Sequence, residues 1–475
     1  MNSPRGKALV SGKFKVIHSG HIRIFKLARE LSNELVVALD VSNLESSDIQ
    51  WRLSALKGID LVSRVITYES NIKEIIFSEK PDIVVKGSEF SQRFNVEEDL
   101  LSQWGGRLIF SSGDSFFSEK DLIEPLLESQ LKKRYPLPLG YMLRHEITTE
   151  DLSKVVEKFR ELKVCVIGDL IIDEFINCHP LGMSQEEPSI VVTPIDSKRF
   201  LGGAGIVAAH CASLGAVTSL LTVRGSDEIG EWGISKAEEY GVRVMSLIDP
   251  TRPTTLKQRF RSGSQTLLKL THLRQDNISA DLEMTLLEEF RSLKNMDVII
   301  FSDFSYGVLT KKVASEVLLI SKKAGIFVAA DSQSSSQVGD LSKFESVDFV
   351  TSTEREARIE LKDESSGLVV LAEKLRSQLN AKNLLLKLGG DGVIIPGADL
   401  NGEVLSTDQV PALNDSVVDS SGAGDSLLAA ATLSLASKAT VYEATLLGSL
   451  VAAIQVGRIG NTPITICALK ELLRS

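Results

Sequence analysis

The stretch that most constrains this chain is residues 419–426, Asp-Ser-Ser-Gly-Ala-Gly-Asp-Ser. The β-branched pair Val417-Val418 leads into it, and a run of small apolar residues from Leu427, helical in character, leads out. Gly422 and Gly424 permit a tight turn and close backbone approach, so free N–H groups collect where that helix begins. An anion held there would meet oriented amides and the positive end of the helix dipole. Asp425 sits in the same turn. A carboxylate is a poor phosphate ligand but a suitable base for taking a proton from an attacking hydroxyl. The plainer alternative is a glycine-rich strand-to-helix turn that holds nothing.

Strand and helix patterns alternate along both halves of the chain. In the first half, Lys7–Ser11, Glu34–Asp40, Ser63–Thr67, Pro81–Lys86 and Arg107–Phe110 read as strands, with helical spacing between them, as in Ile22–Leu31. This order predicts a parallel, doubly wound sheet, whose ligands lie at the carboxyl ends of the strands. The turn carrying His18, Gly20 and His21 falls at one such end. Two imidazoles there can donate to phosphate oxygens as charge accumulates, and Gly20 lets the backbone come close. A metal site or a packed core pair is the other reading of two histidines.

Pro136, Pro138 and Gly140 interrupt the alternation. They divide the chain into a first domain, 1–135, a connector with a linking helix capped near Thr148, 136–158, and a second domain, 159–475. In the second domain Lys163–Gly168 is a strand opening onto Asp169 and Asp173. Gly202-Gly203-Ala204-Gly205 opens a helix read from Ile206. Backbone this bare lets a sugar lie against it, with Asp173 holding hydroxyls, although a helix cap or a surface charge fits Asp173 equally well. Lys257, Arg259 and Arg261 alternate and so share one strand face, as a phosphate site or a solvated surface.

The balance of charge narrows the partners. A net charge of −10 and a pI near 5.4 argue against a general nucleic-acid or anionic-membrane binder. The cysteines at 165, 178, 211 and 467 have neither disulfide-framework nor zinc-site spacing, which suits a reduced, cytoplasmic setting. No stretch reads as a membrane span or signal segment.

The string Asp419-x-x-Gly422-Ala423-Gly424-Asp425 resembles the signature of the ribokinase (PfkB) family of sugar kinases. The likeness extends from about 160 to 470. Gly182–Val192, Gly202–Ala208 and Ser302–Gly307 are similar to segments of heptose-phosphate kinases within that family. Leu256–Arg261 and Gln265–Leu270 resemble that branch's lid strand pair. The resemblance implies ATP and Mg²⁺ as cofactors and Asp425 as the catalytic base. It implies an anion hole of Gly422, Ala423 and Gly424, and nucleotide contacts from Lys387, Gly389, Gly392 and Asn461. Sugar contacts would come from Asp173, Gly202, Gly203, Lys257 and Arg259, and Glu356 would act on the metal through water. Thr353 stands where the family has Asn, and Ser332-Gln333 where heptose kinases carry Pro-Lys.

Over about the first 130 residues, Gly12-x-Phe14-x-x-x-His18-x-Gly20-His21 and Pro81–Gly87 resemble the cytidylyltransferase-like superfamily. That likeness implies catalysis by His18 and His21. It also implies that Gly12, Phe14, Gly20, Lys86 and Ser118 bind a nucleoside triphosphate, ATP or CTP. Lys15 replaces the usual Asp after the Phe, and the late nucleotide motif is reduced to Phe116-Phe-Ser118-Glu119. The expected fold is α/β throughout: a Rossmann-like nucleotidyltransferase domain, then a ribokinase-like domain with a small β lid. Together the two resemble bifunctional heptose-phosphate kinase/heptose-1-phosphate nucleotidyltransferases of ADP-heptose synthesis, with the domain order reversed. The implied activity is anomeric phosphorylation and nucleotidyl transfer on a small sugar phosphate, feeding a surface glycan, in a homo-oligomer joined through the kinase lid. The alternatives are another phosphosugar, or a kinase whose first domain is a non-catalytic binding module.

Overall fold

In the first half of the chain five parallel strands, β1 (Lys7–Gly12), β2 (Glu34–Asp40), β3 (Arg64–Tyr68), β4 (Ile83–Gly87) and β5 (Arg107–Ser111), form one sheet ordered β3-β2-β1-β4-β5. The computed structural model describes residues 6–14, 17, 19–42, 44, 46–69, 71–87, 96–111, 135–263, 265–333, 339–400, 403–414 and 416–474. The chain divides into two units, Met1–Gln130 and Leu131–Ser475. Lys15, His18 and Phe116–Glu119, with Ser118, lie outside the described residues. In the first unit Val36, Val37, Ala38 and Leu39 are all fully buried, as expected of a parallel strand covered on both faces. The strand order reverses at β1, so the turn after Gly12 opens at the switch point of the sheet.

The second unit is built on nine strands. They are β6 (Lys163–Gly168), β9 (Val217–Arg224), β10 (Arg243–Ile248), β13 (Val298–Asp303), β14 (Phe327–Ser332), β15 (Phe349–Thr353), β16 (Asn383–Lys387), β17 (Val393–Ile395) and β20 (Asp408–Val410). Their order is β10-β9-β6-β13-β14-β15-β16-β17-β20, and pairing is parallel as far as β16. Successive side chains alternate faces. Val164, Val166 and Ile300 therefore join the core under helices Gly203–Ser213, Ala423–Ala436 and Val441–Val456, while Cys165, Ile167 and Phe301 join the core under Ala280–Ser292, Lys311–Ala324 and Leu368–Gln378. A short hairpin, β18 (Ala398–Leu400) and β19 (Glu403–Leu405), precedes β20.

A second sheet stands off the first. Its strands, β7 (Leu170–Met183), β8 (Ile190–Gly202), β11 (Thr255–Ser262) and β12 (Gln265–His272), are ordered β12-β11-β7-β8. β7 continues almost directly from β6 and is buried as far as Ile176, then exposed from His179 onward. The outer parts of β8 and β12 are largely exposed too.

The proline-bearing segment expected to be a connector packs onto this unit. Helix Leu139–Arg144 starts at Pro138, and its Tyr141 and Met142 are buried in the larger core with Leu152, Val156 and Phe159 of the following stretch. Arg144 donates through Nε and Nη2 to the Asp408 carboxylate at 2.9 Å each, and Tyr141 Oη donates to the Tyr442 carbonyl at 2.9 Å. Proline ends the alternating pattern without ending the hydrophobic surface. Burial of the aromatic and aliphatic side chains decides the outcome.

Candidate active site

The parallel strands of the second unit end together, because Ser302 pairs with Asp331, Asp331 with Thr351, and Thr353 with Lys387. Their carboxyl ends border a cleft of about 1130 Å³, lined on other sides by the inner part of the four-stranded sheet and by the turn before helix Ala423–Ala436. Gly422 caps that helix at φ 76°, and a Cβ there would stand 2.1 Å from Asn461 Oδ1. Only glycine fits both demands. Ala423, Gly424 and Asp425 form the first helical turn, where backbone N–H groups have no intrahelical acceptor. Val418 and Asp419 donate their N–H groups to the Val456 carbonyl, fixing the approach to the turn. Asn461 thus packs against the turn itself.

Asp425 is buried. Burial first, and then the nearby charge of Asp331, push its pKa up to about 7, against the opposing pull of Lys387 and of a hydrogen bond from Gln333. Lys387 Nζ donates to Asp331 Oδ1 at 2.7 Å, and a Cβ on Gly424 would lie 3.4 Å from the same ammonium. The lysine therefore lies close beneath the turn. Burial works against its charge, but Asp331 and Glu356 outweigh it and hold its pKa above the ordinary range. Thr351 Oγ1 donates to Asp331 Oδ1 at 2.8 Å.

Across the cleft, Asp173 lies in the buried half of β7, with pKa raised by burial and restrained by Arg259 and Lys257. Its Oδ1 is buried with no hydrogen bond and lies 3.5 Å from Arg259 Nη2. It caps no helix and does not face open solvent. Gly202 and Gly203 adjoin it: a Cβ on Gly202 would meet Asp173 Oδ2 at 2.6 Å, and one on Gly203 would meet the Asp169 carbonyl at 2.3 Å. The following helix starts at Gly203, earlier than the Ile206 expected from sequence. Close packing over Asp169 outweighs the poor helix propensity of glycine.

Lys257 and Arg259, on adjacent same-face positions of β11, both border the cleft. Arg259 Nη1 also donates to Ser421 Oγ, so this guanidinium spans from Asp173 to the glycine turn. Lys257 Nζ sits 4.8 Å from the Phe304 ring centre. The loop carrying Phe304 is held by Asp169, which accepts N–H bonds from Phe304, Tyr306 and Val308. Arg259 and Arg261 both lie against the Phe175 ring, their guanidinium carbons 5.0 and 5.2 Å from its centre.

Several of these partners escaped sequence reasoning. Thr351 and the contacts that join Asp331 to Lys387 and Gln333 to Asp425 carry no local signal, since they meet across separate elements, although Asp331 itself stands at the Asp that precedes the family's Pro-Lys position. Thr353 did carry one: Thr353-x-x-Glu356 is a capping box, with Thr353 Oγ1 accepting from Glu356 N at 3.3 Å and Glu356 Oε2 accepting from Thr353 N at 2.7 Å. Gly389 and Gly392 close the turn beyond β16 and border the cleft. Among the described residues no three His, Cys, Asp or Glu side chains converge to hold a metal, and no helix is long and apolar enough to cross a membrane.

The first unit is considered by itself. Phe14, at φ 43°, packs edge-on to His21 with ring centres 5.0 Å apart, and a Cβ on Gly12 would touch the Phe14 ring at 3.2 Å. Gly20 lies in the first turn of helix Ser19–Leu31. At the end of β4, Lys86 Nζ is paired with Glu97 Oε1 at 2.7 Å. Burial, then the charges of Asp40 and Glu97, push nearby Tyr68 up to about 12. Polar groups thus gather at the carboxyl edge of this sheet.

Residues 161–466 match the pfkB family carbohydrate kinases. The chain is 31% identical over 327 residues to the bifunctional protein HldE of Desulfatibacillum aliphaticivorans, covering 67% of this chain and 64% of that protein. It is 29% identical over 326 residues to HldE of Sulfurimonas denitrificans, covering 67% and 65%. The chain thus spans a little under two thirds of these curated relatives. Among solved structures, phosphofructokinase-2 from Escherichia coli with substrates and products superposes at a TM-score of 0.54 with 16% identity, over 66% of this chain and 98% of that one. Ribokinase from Thermotoga maritima gives 0.51 with 20% identity, over 66% and 100%. At these identities the match establishes a shared α/β fold.

Proposed function

The chain belongs to the pfkB family of carbohydrate kinases and is an ATP-dependent sugar kinase, and on that premise we propose that it phosphorylates the anomeric hydroxyl of a heptose-like sugar phosphate. The observation that carries this reading is the placement of buried Asp425 in a glycine turn, facing the Asp173–Gly203 wall across one cleft. ATP lies with its phosphates toward Gly422, Ala423 and Gly424, and its base along the wall that includes Gly389 and Gly392. The sugar lies on Gly202 and Gly203, its hydroxyls bonded to Asp173. Asp425 takes the proton of the attacking hydroxyl as the new oxygen–phosphorus bond forms and the bond to the ADP oxygen breaks. Lys387 and Arg259 offset the charge that builds near the turn. Magnesium, which is held largely by phosphates and water with one or two carboxylates, supplies charge neutralisation when bound, and Glu356 on the cleft wall fits a role in orienting its water.

An ionised Asp425 is the working form, so activity falls as the carboxylate gains a proton. With a pKa near 7, kcat/KM rises with pH to a plateau above neutrality and lies about 100-fold below that plateau two pH units under the pKa. A profile flat from pH 5 to 9 would contradict this placement of the base.

For the first unit we propose nucleotidyl transfer to a sugar 1-phosphate, supported by its parallel sheet and by His21 and Lys86 at the switch-point edge. Products made from ATP, CTP and a panel of heptose phosphates, identified by mass spectrometry, test both readings. His21→Ala is expected to abolish pyrophosphate release while leaving ADP formation unchanged. Persistent release would remove His21 from the reaction, and no release from the unsubstituted protein would favour a binding module. The same reading makes the protein a cytoplasmic homo-oligomer, for which exposed lid residues such as Ile190, Ile195 and Leu268 offer an apolar surface.

A further inference from the structure

Gln333 follows the last residue of β14, and its backbone N–H is fixed to the Asp303 carbonyl at 2.8 Å. Its side-chain amide points into the cleft. Nε2 donates to Asp425 Oδ1 at 2.7 Å and to Asp331 Oδ2 at 3.2 Å. Asp331 is in turn held through Oδ1 by Lys387 and Thr351. One primary amide therefore uses both of its hydrogens to join two buried carboxylates from separate elements.

We propose that Gln333 is a positioning residue for the base, clamping one oxygen of Asp425 so that the other is presented to the substrate hydroxyl. This rests on the reading of Asp425 as the base. A carboxylate at the start of a helix swings about its side-chain torsions, and a base misaligned by an ångström loses much of its effect. Gln333 fixes it against the rigid end of a central strand. The amide also stands between two like charges and favours the ionised form of each. The charged groups around Asp425 are Asp331 from β14, Lys387 from β16 and Asp173 from β7. Glu356, at the start of helix Glu354–Leu361, borders the same cleft. Gln333 is the neutral group that binds directly to the base among these charges.

The test pairs two substitutions. Gln333→Met keeps the length and removes both donors, whereas Gln333→Lys keeps a donor and adds a positive charge. A hydrogen bond to the ionised carboxylate lowers its pKa, so losing it moves the acid limb of kcat/KM up by about one pH unit, and a neighbouring cation moves it down. The Met variant is also expected to lose about 10-fold at the alkaline plateau with the KM for ATP unchanged, and the Lys variant to recover most of that loss. A merely structural role would lower activity with no movement of either limb.

Infrared titration of the carboxyl band, as the difference between each protein and its Asp425→Asn counterpart, reads the same shifts without any sugar. If the Met variant does not fold, the downward shift in the Lys variant carries the test alone. An acid limb and a carboxyl titration in Gln333→Met that superimpose on those of the unsubstituted enzyme would overturn the proposal. Full phosphoryl transfer by Asp425→Asn would instead overturn the base assignment on which it rests.

Discussion

Asp425→Asn lowers the rate of phosphoryl transfer by about 10² to 10⁴ while leaving ATP affinity within about threefold. The substitution keeps the shape of the side chain, and Asn Oδ1 still accepts the amide hydrogen that Gln333 gives to Asp425 Oδ1 at 2.7 Å. The carboxamide cannot take a proton at neutral pH, so the loss is confined to chemistry. On the proposed arrangement the nucleotide rests on the glycine turn and the Gly389–Gly392 wall, cleft-lining segments that the variant leaves intact. Isothermal titration with ATP, beside a coupled assay of ADP release, separates binding from turnover. A variant that turns over at near-normal rate would show that the attacking hydroxyl loses its proton elsewhere. A residual rate independent of pH between 5 and 8 would further tie the acid limb of the unsubstituted enzyme to this carboxyl.

The second large effect is on stability. Lys387→Met destabilises the second unit by about 3–5 kcal/mol, because it leaves Asp331 as an uncompensated buried charge. Asp331 is 1% exposed and its contact with Lys387 is 2.7 Å. The double variant Lys387→Met/Asp331→Asn removes both charges and recovers most of the loss. Urea denaturation of the two singles and the double closes a cycle whose coupling term reports the pair directly. If Lys387→Met costs under about 1 kcal/mol, the pair contributes little to stability and this account of the buried charge is wrong.

The strands were legible because burial imposes continuous apolar runs: Glu34–Asp40 is the same seven residues in sequence and in structure. The glycine turn was legible because φ 76° at Gly422 is a demand that few other residues meet. Contacts made by convergence of distant segments were not. Gln333 meets Asp425 from 92 residues away, and Arg259 reaches Ser421 from 162. Periodicity places Lys257, Arg259 and Arg261 on one strand face, and Arg259 and Arg261 share the Phe175 ring, but only convergence of distant segments gives Arg259 its further contacts with Asp173 and Ser421. Thr353-x-x-Glu356 carries two messages in the same four residues: the spacing is that of a capping box, which the structure shows, and both residues also border the cleft.

β7 begins in the core and ends in water, and Asp173 lies in its inner half. A cover hung on a flexible loop can swing without disturbing what lies beneath it. Here the outer sheet and the Asp173 carboxylate, the group proposed to bind hydroxyls, are stretches of one backbone, joined laterally to β11 from Thr255 to Arg261. Tilting the outer sheet would therefore torque the wall on which the proposed sugar would rest. On that arrangement, dwell time of the sugar would depend on the stiffness of the strand ladder as well as on contacts with the ligand. A change of sugar preference would then have to come from side chains on the inner half of the strand. Lengthening or trimming the outer half would alter how long any occupant stays, whichever sugar it is.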